Sequence, residues 1–226
     1  MILPGTALAL FDFDDTLARG DSILPYLMYC IRRGVAPKRQ LLRAGLGYLR
    51  FLIRPASASG AKEQTLSFIR GKTVEEMDAL ARAFFRDVYI HRFLQAGMQE
   101  LWRLREEGYR ILVVSASADV YMRVLPEFLP VDAVLSTVCE VDDEGRYTGR
   151  VGDNCKGWEK PRRIAAWLDS QGLTLDSAAS CAYGDSPSDA PMLMLTAAPN
   201  LIDPKRKLLR RLPGARVLHW HTEDNA

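Results

Sequence analysis

The hydrophobic and polar positions of this chain fall into two regimes. In the first, short apolar runs break off into polar turn residues. Residues 7–13 (ALALFDF), 110–114 (RILVV) and 179–183 (ASCAY) are such runs. Their length and near-continuous apolarity predict strands buried on both faces. Each leads through turn residues into helical periodicity, and strands alternating with helices predict a parallel α/β sheet. In such sheets the functional groups gather at the carboxyl ends of the strands.

The second regime, residues 18–92, has helical periodicity and little strand character. Asp21 or Ser22 is placed to cap a first helix, with Pro25 in its first turn. Within 38–54, Leu41, Leu42, Leu46, Leu49, Leu52 and Ile53 share one helical face, and Arg39, Arg43, Arg50 and Arg54 share another. Thr73 and Glu76 form a capping box that opens a helix running to about Val88. A helix over 93–107 ends at Gly108. A β-hairpin falls in 133–151 with its turn at Asp143-Glu144-Gly145, and a helix over 161–170 ends near Gly172. The chain therefore reads as an α/β core, residues 1–17 and 93–226, interrupted after its first strand by an all-helical insert, residues 18–92. No internal repeat is present.

Composition narrows the function classes. The chain has 226 residues, 48% hydrophobic and 26% charged, as expected of a globular domain and not of a disordered or fibrous chain. Its net charge of +2 excludes a strongly basic nucleic-acid binder. The charge is unevenly spread. Arg32, Arg33, Lys38, Arg39, Arg43, Arg50, Arg54 and Lys62 lie between Asp21 and Glu63 with no acidic residue among them. The helical insert is thus a cationic block in an otherwise acidic protein, which points to an anionic substrate or surface. One apolar and one arginine-rich face also suit peripheral contact with an anionic membrane. Only Tyr48 and Phe51 interleave the basic residues, too few stacking groups for a nucleic-acid module. Cys30, Cys139, Cys155 and Cys181 are widely spaced, which argues against a zinc site or a disulfide framework. The N-terminus lacks a basic segment and reaches acidic residues by Asp12, unlike a signal peptide. The longest apolar run, Ile23 to Ile31, is about half the length of a membrane span. A cytoplasmic enzyme or binding protein is the expectation.

The chemistry concentrates in Phe11-Asp12-Phe13-Asp14-Asp15-Thr16-Leu17. Strand alternation directs Asp12 and Asp14 to one side. Carboxylates crowded at a strand end repel each other unless a hard cation such as Mg²⁺ sits between them. Gly184-Asp185-Ser186-Pro187-Ser188-Asp189 is a second acidic segment after a strand, so Asp12, Asp14, Asp185 and Asp189 form a candidate oxygen-rich metal site.

Residues 11–17, Ser115, a lysine at 156–160 and residues 184–189 resemble, in order and spacing, the four motifs of the haloacid dehalogenase superfamily. The insert resembles the C1-type cap of the subfamily that contains phosphoserine phosphatase. The resemblance implies a Rossmann-like core with a helical lid and a Mg²⁺-dependent phosphatase. It implies Asp12 as nucleophile and Asp14 as general acid and base. Asp185 would ligate Mg²⁺ with Asp12 and the carbonyl of Asp14, and Asp189 would hold the metal shell. Ser115, with Ser117 beside it, falls at the phosphate-binding hydroxyl. Lys160 fits the phosphate-binding lysine by its distance from Gly172, with Lys156 as the alternative. The chain departs from phosphoserine phosphatase at Asp15, at Ser188, and at Asp21, where a glutamate meets the substrate amine. Asp21 is thus both a helix cap and a candidate substrate ligand. The segments 155–160 and 183–186 also resemble phosphatidylglycerophosphatase-like enzymes, although this chain lacks their membrane-spanning segment. Three substrate readings stay open: a small phosphorylated metabolite, a phospholipid headgroup, and an anion bound without turnover.

Overall fold

The computed structural model describes residues 5–53 and 58–223. The first strand, β1 (Leu8–Phe11), leads into the helical insert: α1 (Ile23–Arg32), α2 (Gln40–Ile53), α3 (Ala58–Leu66) and α4 (Val74–Phe84). The chain returns through α5 (Gln95–Glu106), β2 (Arg110–Ala118), α6 (Asp119–Met122), β3 (Ala133–Thr137), β4 (Cys139–Val141) and β5 (Tyr147–Val151). It ends with α7 (Glu159–Ser170), β6 (Cys181–Gly184), α8 (Ala190–Leu193), β7 (Ala198–Ile202), α9 (Arg206–Arg211), β8 (Arg216–Leu218) and α10 (Trp220–Glu223).

Among the described residues, six strands form one sheet in the order β3-β2-β1-β6-β7-β8. Every pairing in it is parallel. β1 lies centrally, with Phe11 opposite Val113 on one side and Tyr183 on the other. Chain order reverses across β1, which makes its carboxyl end a topological switch point. Alternation divides the core in two. Ala9, Phe11, Ile111, Val113 and Tyr183 pack with Leu101 and Leu104 of α5, Trp220 of α10 and the helical insert. Leu8, Leu10, Leu112, Val114 and Ala182 pack with Ile164 and Leu168 of α7 and with Leu208 of α9. Covering both faces removes the apolar sheet from water, the ordinary requirement of a parallel sheet.

Several boundaries differ from the sequence reading. β1 is shorter than 7–13, and the acidic residues lie beyond its end. β2 runs through Ala118, so Ser115 and Ser117 sit within the strand. Residues 133–137 are not a hairpin arm. They form β3, parallel to β2, and only β4 and β5 make the hairpin. Apolar β-branched segments pair equally well in either setting, and periodicity does not choose the partner. The turn falls as read: the Gly145 N–H donates to the Asp142 carbonyl at 3.0 Å, with Gly145 at φ +73°.

The insert is tied to the core in two ways. Its segment between α3 and α4 extends the hairpin: the Gly71 N–H donates to the Tyr147 carbonyl at 2.8 Å, and the Tyr147 N–H donates to the Lys72 carbonyl at 2.9 Å. An aromatic cluster then joins the two parts, with Phe13 stacked on Tyr89 at 5.5 Å and Tyr26 beside Tyr121 at 4.5 Å. The capping box at Thr73 and Glu76 is present. No helix among the described residues is long and apolar enough to cross a membrane.

Candidate active site

The loop after β1 presents two carboxylates through backbone geometry alone. The Thr16, Leu17 and Ala18 N–H groups all donate to the Phe13 carbonyl. Asp15 stands at φ +60°, a left-handed conformation that aspartate tolerates better than most residues. Its carboxylate accepts the Gly20 N–H at 2.8 Å, and its carbonyl meets His221 Nε2 at 3.0 Å.

Asp12 is buried and bonded to Lys160 Nζ through Oδ1 at 2.5 Å. The same Nζ donates to Asp189 Oδ1 at 2.7 Å. Lys160 lies in the first turn of α7 and is 1% exposed, a burial that a lysine tolerates only with paired charges. Lys156 is exposed. The geometry therefore brings Lys160, and not Lys156, to Asp12.

Asp189 reaches this point because Gly184 has no side chain. A Cβ there would lie 2.7 Å from the Asp189 Cβ. Asp189 Oδ2 accepts the Ser186 N–H at 2.9 Å and the Ser186 hydroxyl at 2.7 Å. Burial opposes its charge, but Lys160 and Ser186 outweigh burial and hold Asp189 below the usual carboxylate range. Asp12 shares the same lysine and is driven the other way, by burial first and by the Asp189 charge second. Burial likewise raises Asp185, which accepts Lys205 Nζ through Oδ2 at 2.5 Å.

Asp12, Asp185 and Asp189 each offer a buried carboxylate oxygen, and these oxygens lie within 4.8 Å of one another. One buried lysine cannot balance three buried carboxylates, and Lys205 is 60% exposed. An all-oxygen, electron-rich cluster with uncompensated charge suits a hard divalent cation such as Mg²⁺. Asp14 offers no carboxylate to this cluster, and its part in a metal site would be through its carbonyl.

The Asp14 carboxyl faces elsewhere. Its Oδ2 accepts the Ser117 hydroxyl at 2.5 Å, and its Oδ1 lies 3.5 Å from the Tyr89 hydroxyl. Ser22 Oγ is 2.6 Å from Ser117 Oγ and 3.0 Å from Tyr121 Oη. Burial first and the Asp21 charge second push the Asp14 carboxyl up to about 7, against the opposing bonds from Ser117 and Ser22. Two adjacent carboxyls thus have different tasks available: Asp12 lies against an ammonium, and Asp14 can carry a proton at neutral pH.

The remaining sequence candidates occupy distinct positions. Ser115 is buried, and its hydroxyl accepts the Ser117 N–H at 3.0 Å. The two serines are two apart on β2, where its pairing with β3 shifts register between Val114 and Ala118. Asp21 is exposed, and its Oδ1 accepts the Ile23 N–H at 2.9 Å, so it caps α1. That leaves the Ser22 hydroxyl for Ser117 and Tyr121, a site contact that a capping reading conceals. Tyr89 and Tyr121 carried no sequence signal. Lys62 was legible only as one of the basic residues. Its Nζ donates to the Ala116 carbonyl and, at 2.7 Å, to Asn154 Oδ1, so it reaches from α3 to β2 and the loop before α7.

The chain as a whole is similar to known relatives and solved structures. The model of the haloacid dehalogenase-like hydrolases matches residues 9–194. The phosphoserine phosphatase SerB1 of Mycobacterium tuberculosis is 29% identical over 97% of this chain and 71% of its own length. A crystal structure of a protein of unknown function from Bordetella pertussis Tohama I superposes with a TM-score of 0.86, at 26% identity over 96% of this chain and all (100%) of its own. A phosphoserine phosphatase structure holding a phospho-aspartyl intermediate analogue superposes at 0.61, with 21% identity over 95% of this chain and 93% of its own, a likeness of fold. The family model spans β1 to α8 and contains every carboxylate of the site, and the chain belongs to the haloacid dehalogenase-like hydrolases.

Proposed function

We propose that the chain hydrolyses a phosphate monoester through an aspartyl-phosphate on Asp12. The observation that carries this reading is the pairing of Asp12, held by Lys160, with Asp14, whose carboxyl is held up to about 7. A hydrolase that used Asp12 alone would have no need of a second carboxyl raised towards neutrality two residues away. Asp12 attacks phosphorus, and the P–O bond to the alcohol breaks. The departing oxygen takes the Asp14 proton. Asp14, now a carboxylate, accepts a proton from the water that attacks the aspartyl-phosphate. Inorganic phosphate leaves, and both carboxyls return to their first state.

Lys160 orients the Asp12 carboxylate and offsets its repulsion from the substrate phosphate. Ser115 on β2 offers a hydroxyl donor to the phosphate, while the Ser117 hydroxyl holds Asp14. Asp12, Asp185 and Asp189, with the Asp14 carbonyl, would hold Mg²⁺. Bound there, the ion would offset the negative charge of the phosphoryl group. The substrate we propose is a small phosphorylated metabolite of the amino-acid or amino-alcohol type. The name of the mycobacterial relative supports it, as does Asp21, whose negative charge is felt at Asp14 and suits a substrate ammonium.

Phosphate release from a panel of such metabolites, and from p-nitrophenyl phosphate, tests this directly. Asp12→Asn is expected to abolish turnover while circular dichroism stays native. EDTA is expected to silence the native enzyme and Mg²⁺ to restore it. Turnover that persists in the variant removes the nucleophile assignment, and turnover indifferent to chelation removes the metal.

A further inference from the structure

Helix α2 is turned inside out. Leu41, Leu42, Leu46 and Leu49 lie on its water-facing side, with exposures of 38%, 73%, 58% and 55%. Among the described side chains of α2, those packed on the protein are polar or small. Gln40 is buried and donates from Nε2 to the Thr65 carbonyl at 3.0 Å and to Ser67 Oγ at 2.9 Å. Gly47 is buried too, and a Cβ there would lie 3.1 Å from the Ala61 carbonyl of α3. A surface helix ordinarily shows the reverse arrangement. Exposing a contiguous leucine face is costly in water, and such faces mark interaction sites.

The surroundings of the face identify its partner. Arg32, Lys38, Arg39 and Arg43 are exposed around it, and no acidic residue occurs from Ser22 to Lys62. A second copy packed on the same face across a two-fold axis would set arginine against arginine, with no carboxylate from this segment to pair them. Leucines flanked by cations match a different surface, in which an apolar layer lies beneath negative headgroups. We propose that the exposed leucine face of α2 docks on the surface of an anionic bilayer, with the leucines entering the acyl boundary and Lys38, Arg39 and Arg43 among the headgroups. This docking stands apart from the catalytic reading, since none of these residues touches the carboxylate site.

Flotation of the full chain with vesicles tests the proposal. The native protein is expected to float with vesicles of phosphatidylglycerol and phosphatidylcholine at low salt, and to stay behind with phosphatidylcholine alone. Added salt weakens the binding by screening. The double substitution Leu42→Gln, Leu46→Gln keeps every charge and is expected to weaken binding at least about tenfold, given the apolar area it withdraws. Its p-nitrophenyl phosphate turnover and circular dichroism should match the native protein. Native protein that stays with the soluble fraction, or a double variant that floats undiminished, overturns the proposal. So does a native dimer in sedimentation velocity that the same double substitution dissociates, without flotation, since the face then belongs to a second copy.

Discussion

At the scale of single residues, the site depends on where protons reside. Asp14 can carry a proton near neutral pH because burial first and the Asp21 charge second outweigh the hydrogen bonds from Ser117 and Ser22 that favour the carboxylate. The acid form is the active form for the first step, so kcat/KM should fall as pH rises through about 7. Ser117 donates to the ionised carboxylate and so favours it. Ser117→Ala removes that stabilisation, raises the Asp14 pKa and moves the descending limb to higher pH. A pH–rate profile of the two proteins decides the matter; a limb that stays in place, or moves down, removes Asp14 as the acid.

At the scale of elements, β6 and α8 meet at Gly184, whose lack of a side chain makes room for Asp189. Gly184→Ala puts a Cβ 2.7 Å from the Asp189 Cβ, so Asp189 must move away from Lys160 and Ser186. A displacement of that order is expected to cost about a hundredfold in kcat, with Mg²⁺ affinity falling as well. Steady-state kinetics across a Mg²⁺ titration measures both, and native values for Gly184→Ala refute the packing argument. Elements of this kind were legible in unequal degree. Three of the six sheet strands, β1, β2 and β6, were readable from apolar runs, and Thr73 with Glu76 from local hydrogen-bonding capacity, because both signals are local; β7 and β8 were not read. The orientation of α2 was not readable. The spacing of Leu41, Leu42, Leu46 and Leu49 fixes that they share a face, and only tertiary contacts fix that Gln40 and Gly47 face inward. For the same reason 133–137 could be seen as extended but not assigned to β2. The side chains of Arg50, Leu52 and Ile53, and all of Arg54, lie outside the described residues.

At the scale of the whole molecule, the near-neutral charge of the chain is divided between a basic insert and an acidic core, and Lys62 adds a further joint between the two. It leaves α3, enters the core and donates to Ala116 on β2 and to Asn154. The carboxylate set around Asp12 was legible because its motifs are short and contiguous. This joint was not, because its partners are 54 and 92 residues away in sequence. Burial is the largest influence on Lys62 and lowers its pKa from 10.5 to about 8, with Asp14 and Asp21 opposing. In the unfolded chain the lysine holds its proton to higher pH than in the folded one. Folding below about pH 8 therefore carries the cost of a buried ammonium, and that cost is relieved as pH rises towards 10.5. Lys62→Met has no such group. The stability of the native protein relative to Lys62→Met should rise by about 2 kcal/mol between about pH 7 and about pH 9.5. Taking the difference cancels the cysteines and tyrosines that titrate in the same range. Urea unfolding of both proteins at each pH measures it. A difference that is flat, or that falls with pH, would show that the Lys62 amine is solvated in the native state and that the insert is not anchored to the core through it.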